Sequence, residues 1–286
     1  MSKRNLLLGT AAGKVGDLVF YRAGGEQRTR AKVTPNNPKT YAQQAQRSRL
    51  ANVTLMYRAL SALMKDSFTS RPSNQTAFNA FSADALPIAP FLEKSRADKG
   101  QFYLEPALVA KGSVPVPFAS VTTTGGVLSV VMEGNFEGPI TDTDGLAEAL
   151  KAWRPCCFQD GGSLIFALLY KPQGNTERYV AKYVVIDMSG NNTQALADLG
   201  VTAQVTPAQG DDPGSLTLTL AVSGTDFGGA VIVNRPKADG GYDVTDSRLV
   251  LDSVAKTAYE THITADAARD AAISYGGVEG SCVVNG

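Results

Sequence analysis

His262 is the only histidine in the chain, so a Ser-His-Asp or Cys-His device would have to be assembled around it. Its setting, Thr261-His262-Ile263-Thr264, reads as the approach to a helix near the C-terminus, which speaks against catalysis. Cys156-Cys157, beside Trp153 and Pro155, suggests redox or metal chemistry. Yet there is no CxxC spacing and no second Cys or His pair, so a zinc site is not expected. Adjacent cysteines are strained as a disulfide; either one pairing with Cys282 is geometrically open, but reduced thiols are the expectation. Asp211-Asp212-Pro213-Gly214 lacks the alternating oxygen ligands and the bidentate Glu of a calcium loop and reads as a solvated turn. Gly9-Thr10-Ala11-Ala12-Gly13-Lys14 fails the phosphate-loop pattern, because three residues separate the glycines and Val15 follows the lysine. No spacing brings two carboxylates together for sugar hydrolysis. The expectation is therefore a non-enzyme with no metal, no cofactor and no small-molecule substrate.

Charge layout carries more. The chain has 27 bases and 27 acids, but residues 1–65 hold twelve of the bases and only Asp17 and Glu26 of the acids. The remaining residues carry 15 bases against 25 acids. Such a division suits either a nucleic-acid contact or attraction between the basic arm of one copy and the acidic body of another. The candidate contact residues are Arg22, Arg28, Arg30, Lys32, Lys39, Arg47 and Arg58. Arg28, Arg30 and Lys32 fall on one side of a strand by its period of two, a row of like charges that calls for a negative neighbour. A plain solvated face is the competing reading.

These residues need elements to hold them. Asp17 to Arg22 reads as a strand, Ala23-Gly24-Gly25-Glu26 as a turn and Gln27 to Val33 as the returning strand. Asn37 before Pro38 is pushed out of helical conformation, while Thr40 and Gln43 stand at capping-box spacing. A long amphipathic helix is expected from Tyr41 to about Asp66, with Ala42, Ala45, Val53, Met56, Leu60 and Leu63 inward and Gln43, Arg47 and Arg58 near the opposite side. A shorter helix over Asn74 to Ala83 would pack on it. Pro87 to Gly100 reads as an irregular connector.

Beyond it the texture turns to short apolar or alternating runs: 118–123, 127–132, 163–170, 179–187, 216–222, 229–234 and 248–251. Thr143 and Thr264 are expected to cap two further helices. The class expected is α+β, an N-terminal β-hairpin plus helical hairpin followed by a mainly antiparallel β-sandwich, jelly-roll or immunoglobulin-like. The expected parts are a basic docking module at 1–86, a connector at 87–104, the sandwich at 105–255 and a C-terminal helix and tail at 256–286. The opening residues have too short an apolar run for a signal peptide, and no stretch approaches the ~18 apolar residues of a membrane span.

Gly13-Lys14-Val15-Gly16-Asp17-Leu18-Val19-Phe20, the bases Arg28 to Lys32, Asn37-Pro38-Lys39-Thr40 with Ala42-Gln43 and Gln46-Arg47, and Asn74 to Asn79 together resemble an N-terminal module of uncharacterised proteins from bacteriophages, prophages and gut Bacteroidetes. The resemblance covers under a third of the chain, and more faintly Leu164 to Tyr170 and Val244 to Leu249. It marks Asn37, Pro38, Thr40 and Gln43 as motif positions of structural kind. It implies a virion or assembly component: capsid, capsid-associated or tail-associated, made in the host bacterial cytoplasm and located in the particle. The expected partners are copies of the chain or other virion proteins, with no membrane. The alternative is a non-enzymatic nucleic-acid-binding protein that grips the genome through the same basic face.

Overall fold

The computed structural model describes residues 13–23, 26–32, 39–174, 178–190, 193–209 and 214–278. Two compact units emerge, residues 1–39 and residues 40–286.

In the first unit, β1 (Gly13–Val15), β2 (Leu18–Ala23) and β3 (Glu26–Ala31) form an antiparallel sheet in chain order. The β-forming run Leu18-Val19-Phe20-Tyr21 makes the central strand. Gly16, at φ +58°, supplies the left-handed residue that the β1–β2 turn needs. The turn positions Gly24 and Gly25, and Asn37 and Pro38 of the motif, lie outside the described residues.

The second unit opens with α1 (Tyr41–Ala59), α2 (Ser61–Met64), α3 (Ala77–Ala85) and α4 (Lys94–Asp98). It continues through β4 (Leu108–Ala110), β5 (Ser120–Thr124), β6 (Val127–Glu133), α5 (Thr143–Trp153), β7 (Ser163–Pro172) and β8 (Val180–Asp187). A 3-10 turn (Leu196–Leu199) precedes β9 (Val201–Thr206), β10 (Ser215–Ala221), β11 (Gly224–Pro236), β12 (Tyr242–Val244), β13 (Ser247–Arg248) and β14 (Val250–Leu251). Helices α6 (Ser253–His262) and α7 (Ala265–Ser274) close the described chain.

Thr40 caps α1 as expected, extended at its backbone and accepting the Gln43 N–H at 3.4 Å. The helix does not run unbroken to Asp66. Leu60 leaves helical geometry at φ −101°, ψ 10°, and α2 resumes as a separate turn. The inward face of α1 also differs from the expected apolar stripe. Its first half buries Gln44, Ser48 and Asn52, whereas Ala42 is exposed; only from Val53 onwards is the stripe apolar. Asn52 makes this possible by donating to the Tyr103 carbonyl at 3.0 Å and accepting the Tyr103 N–H at 2.8 Å, so the polar side chain is satisfied inside the core.

One sheet has the order β5-β6-β10-β9 and a second the order β12-β11-β7-β8, with β14 also pairing β11; all these ladders are antiparallel. Alternation decides the packing. Leu128, Val130 and Met132 of β6 and Leu216, Leu218 and Leu220 of β10 point inward and join Leu164, Phe166 and Leu168 of β7 and Val231 and Val233 of β11 in one cluster with Leu146 and Leu150 of α5. Ala167, Leu169, Ala230 and Ile232, on the opposite side of β7 and β11, join Val53, Met56, Leu60, Phe68 and Phe81 in another. Strands β7 and β11 are thus covered on both faces, which is why they read as near-continuous apolar runs. Burying each Leu or Phe stabilises by about 1.5–3 kcal/mol, so these two clusters hold the unit together. The segment read as a connector runs through the interior, with Ala89, Phe91, Leu92, Phe102 and Leu104 buried. The architecture is mixed α+β with a body rich in antiparallel sheet.

Candidate functional site

The register of the small sheet decides which cations act together. Arg28 stands opposite Tyr21 and Arg30 opposite Val19, which in turn stands opposite Lys14. Cross-strand partners share a face, so Lys14, Tyr21, Arg28 and Arg30 lie on one side of the sheet. Lys32 continues the same alternation, its N–H donating to the Asp17 carbonyl at 2.6 Å. Arg28, Arg30 and Lys32 are exposed. Tyr21 is 39% exposed, and the Arg30 guanidinium lies 5.7 Å from its ring centre. Two exposed acids share this alternation, Asp17 across from Lys32 and Glu26 3.8 Å from Arg28; the Glu26–Arg28 pair, with both side chains more than half exposed, is screened by water to little effect. The face is therefore cationic with one aromatic plate in its middle.

Arg22 pairs with Gln27 and so belongs to the alternate row of the ladder. Lys39 is exposed at φ +51°, immediately before the α1 cap. Arg47 and Arg58 are exposed on α1, and their separation of about three helical turns places them on one side together with Gln43. Arg47 also donates to the Gln44 side chain at 3.3 Å. The expected contact residues are thus divided: Arg28, Arg30 and Lys32 form a patch in the first unit, and Arg47 and Arg58 belong to the second. Lys14 and Tyr21 join the patch without having been singled out from the sequence. The signal for Tyr21 was its cross-strand position; for Lys14 it was the short β1, hidden among glycines.

The residue types that could carry reactive chemistry are tied into the scaffold. His262 ends α6, stacked on Tyr103 with ring centres 3.8 Å apart, its Nδ1 2.7 Å from the Ala258 carbonyl and its Nε2 3.8 Å from Glu93. Tyr103 donates to Glu93 at 3.2 Å and Arg96 lies 3.4 Å from the same carboxylate. Burial and then the Glu93 charge push the Tyr103 phenol well above the usual tyrosine range. Cys156 and Cys157 are free thiols with sulfurs 3.6 Å apart. Burial first, then the neighbouring Cys156, pushes the Cys157 thiol up to about 11, which keeps it protonated and a poor nucleophile. Asp211 to Pro213 and Cys282 lie outside the described residues.

Two concavities stand out. A groove of about 700 Å³ runs beside β9, between Phe136, Pro139 and Ile140 on one side and Ala203, Val205 and Pro207 on the other. A hollow of about 250 Å³ is bordered by Arg71, Lys111 and Asp84. The first is apolar, and in the second Asp84 is engaged by Arg248 at 3.3 Å. No protein-family model matches this chain, and no curated protein sequence matches it.

Proposed function

We propose that the protein is a structural or assembly component of a bacteriophage particle that self-associates through its basic N-terminal module. The observation that carries this reading is the gathering of exposed Arg28, Arg30 and Lys32 with Lys14 on one face of a small separate unit. Residues 1–39 hold eight bases and two acids, against 19 bases and 25 acids in residues 40–286. A cationic face of one copy and the acidic surface of another attract over a range of about 8 Å at physiological salt, enough to select and orient a neighbour. A contact of this head-to-tail kind closes rings or extends filaments, the geometry a particle shell or tail needs. The resemblance of Gly13 to Phe20 and of Asn37 to Arg47 to a phage and prophage module supports the same reading.

A second reading is favoured by one feature, the exposed Tyr21 beside Arg30: cations around an aromatic plate suit the phosphates and bases of single-stranded nucleic acid. One experiment separates them. Light scattering after size exclusion, with and without a single-stranded DNA oligonucleotide, is run on the wild type and on the triple variant Arg28→Glu, Arg30→Glu, Lys32→Glu at low and at physiological salt. Assembly predicts wild-type oligomers without DNA and monomers of the variant. Nucleic-acid binding predicts monomers that bind DNA with an affinity falling steeply with salt. Wild-type and variant oligomers of equal size would overturn the first reading.

A further inference from the structure

Lys171, near the end of β7, and Asp226, in β11, are in direct contact between Nζ and Oδ2. Their side chains are only 17% and 10% exposed. Asp226 lies in an irregularity of the β7–β11 ladder, where register shifts between Thr225 and Gly228, and it has φ +61°, a left-handed value uncommon outside glycine. This bulge turns the carboxyl towards the amine on the neighbouring strand. The Tyr179 ring covers the amine from 4.7 Å, and Tyr179 in turn packs on Phe102 with ring centres 4.8 Å apart.

As an ion pair this arrangement is poorly supported. A buried pair offsets its desolvation only when the remaining lone pairs and protons find partners; the Tyr179 phenol interacts with the Asp226 carboxylate, but Oδ1 is buried and makes no hydrogen bond of ordinary length and angle. Condensation would remove both charges and leave one N–H and one carbonyl in their place. We propose that Lys171 and Asp226 form an intramolecular amide cross-link between Nζ and Cγ. One ammonium proton passes to the carboxylate, and the amine lone pair then attacks Cγ, making the N–C bond. A second amine proton moves to the hydroxyl oxygen, which departs with the C–O electron pair as water. The product is a secondary amide, and no oxidant, reductant or further reactant is consumed. The surroundings suit the step: Tyr179 shields the pair from bulk water, and its phenol, raised far above the usual range by burial and then by the adjacent Asp226, stays neutral. The cross-link would join residues 55 apart in sequence across the two central strands.

The test is the intact mass of the denatured, purified wild-type protein, followed by peptide mapping. The expected mass is that of the chain less one water, with a branched peptide in which Lys171 is joined to Asp226. Lys171→Ala and Asp226→Ala are expected to show their full sequence masses. A wild-type protein at full mass overturns the proposal. So does a water loss mapped to succinimide at Asp144-Gly145, Asp160-Gly161 or Asp239-Gly240, with Lys171 and Asp226 recovered in separate linear peptides. The wild-type measurement decides the matter even where a variant fails to fold.

Discussion

Glu105 shows how much one side chain weighs in this interior. It is fully buried, and neither carboxylate oxygen has a hydrogen-bond partner. Burial, and then the nearby Asp84 charge, pushes its carboxyl from the ordinary 4.5 up to about 8. Between those two values the unfolded chain has released its proton while the folded chain keeps it, so the stability of the fold declines as pH rises across that window and levels off above it. Each unit of displacement corresponds to about 1.4 kcal/mol, making the decline a few kcal/mol. Glu105→Gln carries no titrating group and should lose this slope; urea midpoints collected on both sides of the window check it, and curves that stay parallel to the wild type refute it. Asp243 has the opposite sign. Its burial opposes ionisation, but hydrogen bonds from Ser113, Thr69 and the Val244 N–H win and hold it down to about 2. The stability it adds is present above the usual aspartate range and is lost only as pH falls towards 2.

At the scale of elements, Asn52 sets the packing of α1 against the following chain. Replacing it by Ala would leave the N–H and C=O of Tyr103 buried and unpaired, at a cost of about 2–4 kcal/mol by denaturant unfolding. A loss under about 1 kcal/mol, no more than an ordinary exposed hydrogen bond contributes, would mean that water enters and replaces the pair. The same residue explains what the sequence could not reveal. Periodicity located α1, α5, α7 and strands β6, β7, β8 and β10 because their inward positions are apolar; Thr40 and Thr264 cap α1 and α7 as expected, but α5 is capped by Asp142, which accepts the Gly145 N–H at 2.7 Å, and the expected cap Thr143 is its first helical residue. Periodicity passed over the buried polar side of α1, since Gln44, Ser48 and Asn52 look like a solvated face until Tyr103, 51 residues on, supplies the partner. Strands β4, β9 and β12 and helix α6 were missed for related reasons: β4 is a three-residue segment held by pairing with the distant β13, β9 and β12 are polar or very short strands that pair with their sequence neighbours β10 and β11, and α6 is capped by a buried Asp252 whose neighbours show only weak periodicity. The basic patch was legible as an alternation in β3, whereas Lys14 joined it only through the β1–β2 register.

At the scale of the whole molecule, the division between residues 1–39 and 40–286 makes a prediction about which part folds and which part associates. Among the described residues, both hydrophobic clusters are built from side chains between Val53 and Ala255, all of the larger unit. Deleting residues 1–38, which leaves the Thr40 cap in place, should therefore give a protein that unfolds cooperatively and whose melting temperature stays within a few degrees of the full chain. The same deletion removes Lys14, Arg28, Arg30 and Lys32 together and leaves a chain with an excess of acids, so its copies repel one another and, on the proposed role, it should sediment as a monomer. Adding the separately made segment 1–39 to this monomer supplies the missing cationic face without the covalent link. Heterologous attraction between arm and body predicts binding that weakens as salt is raised, whereas a role confined to nucleic acid predicts no binding at any salt. Calorimetry on the mixture reads that difference directly, because the two components carry opposite net charge and neither contains the other's half of the contact.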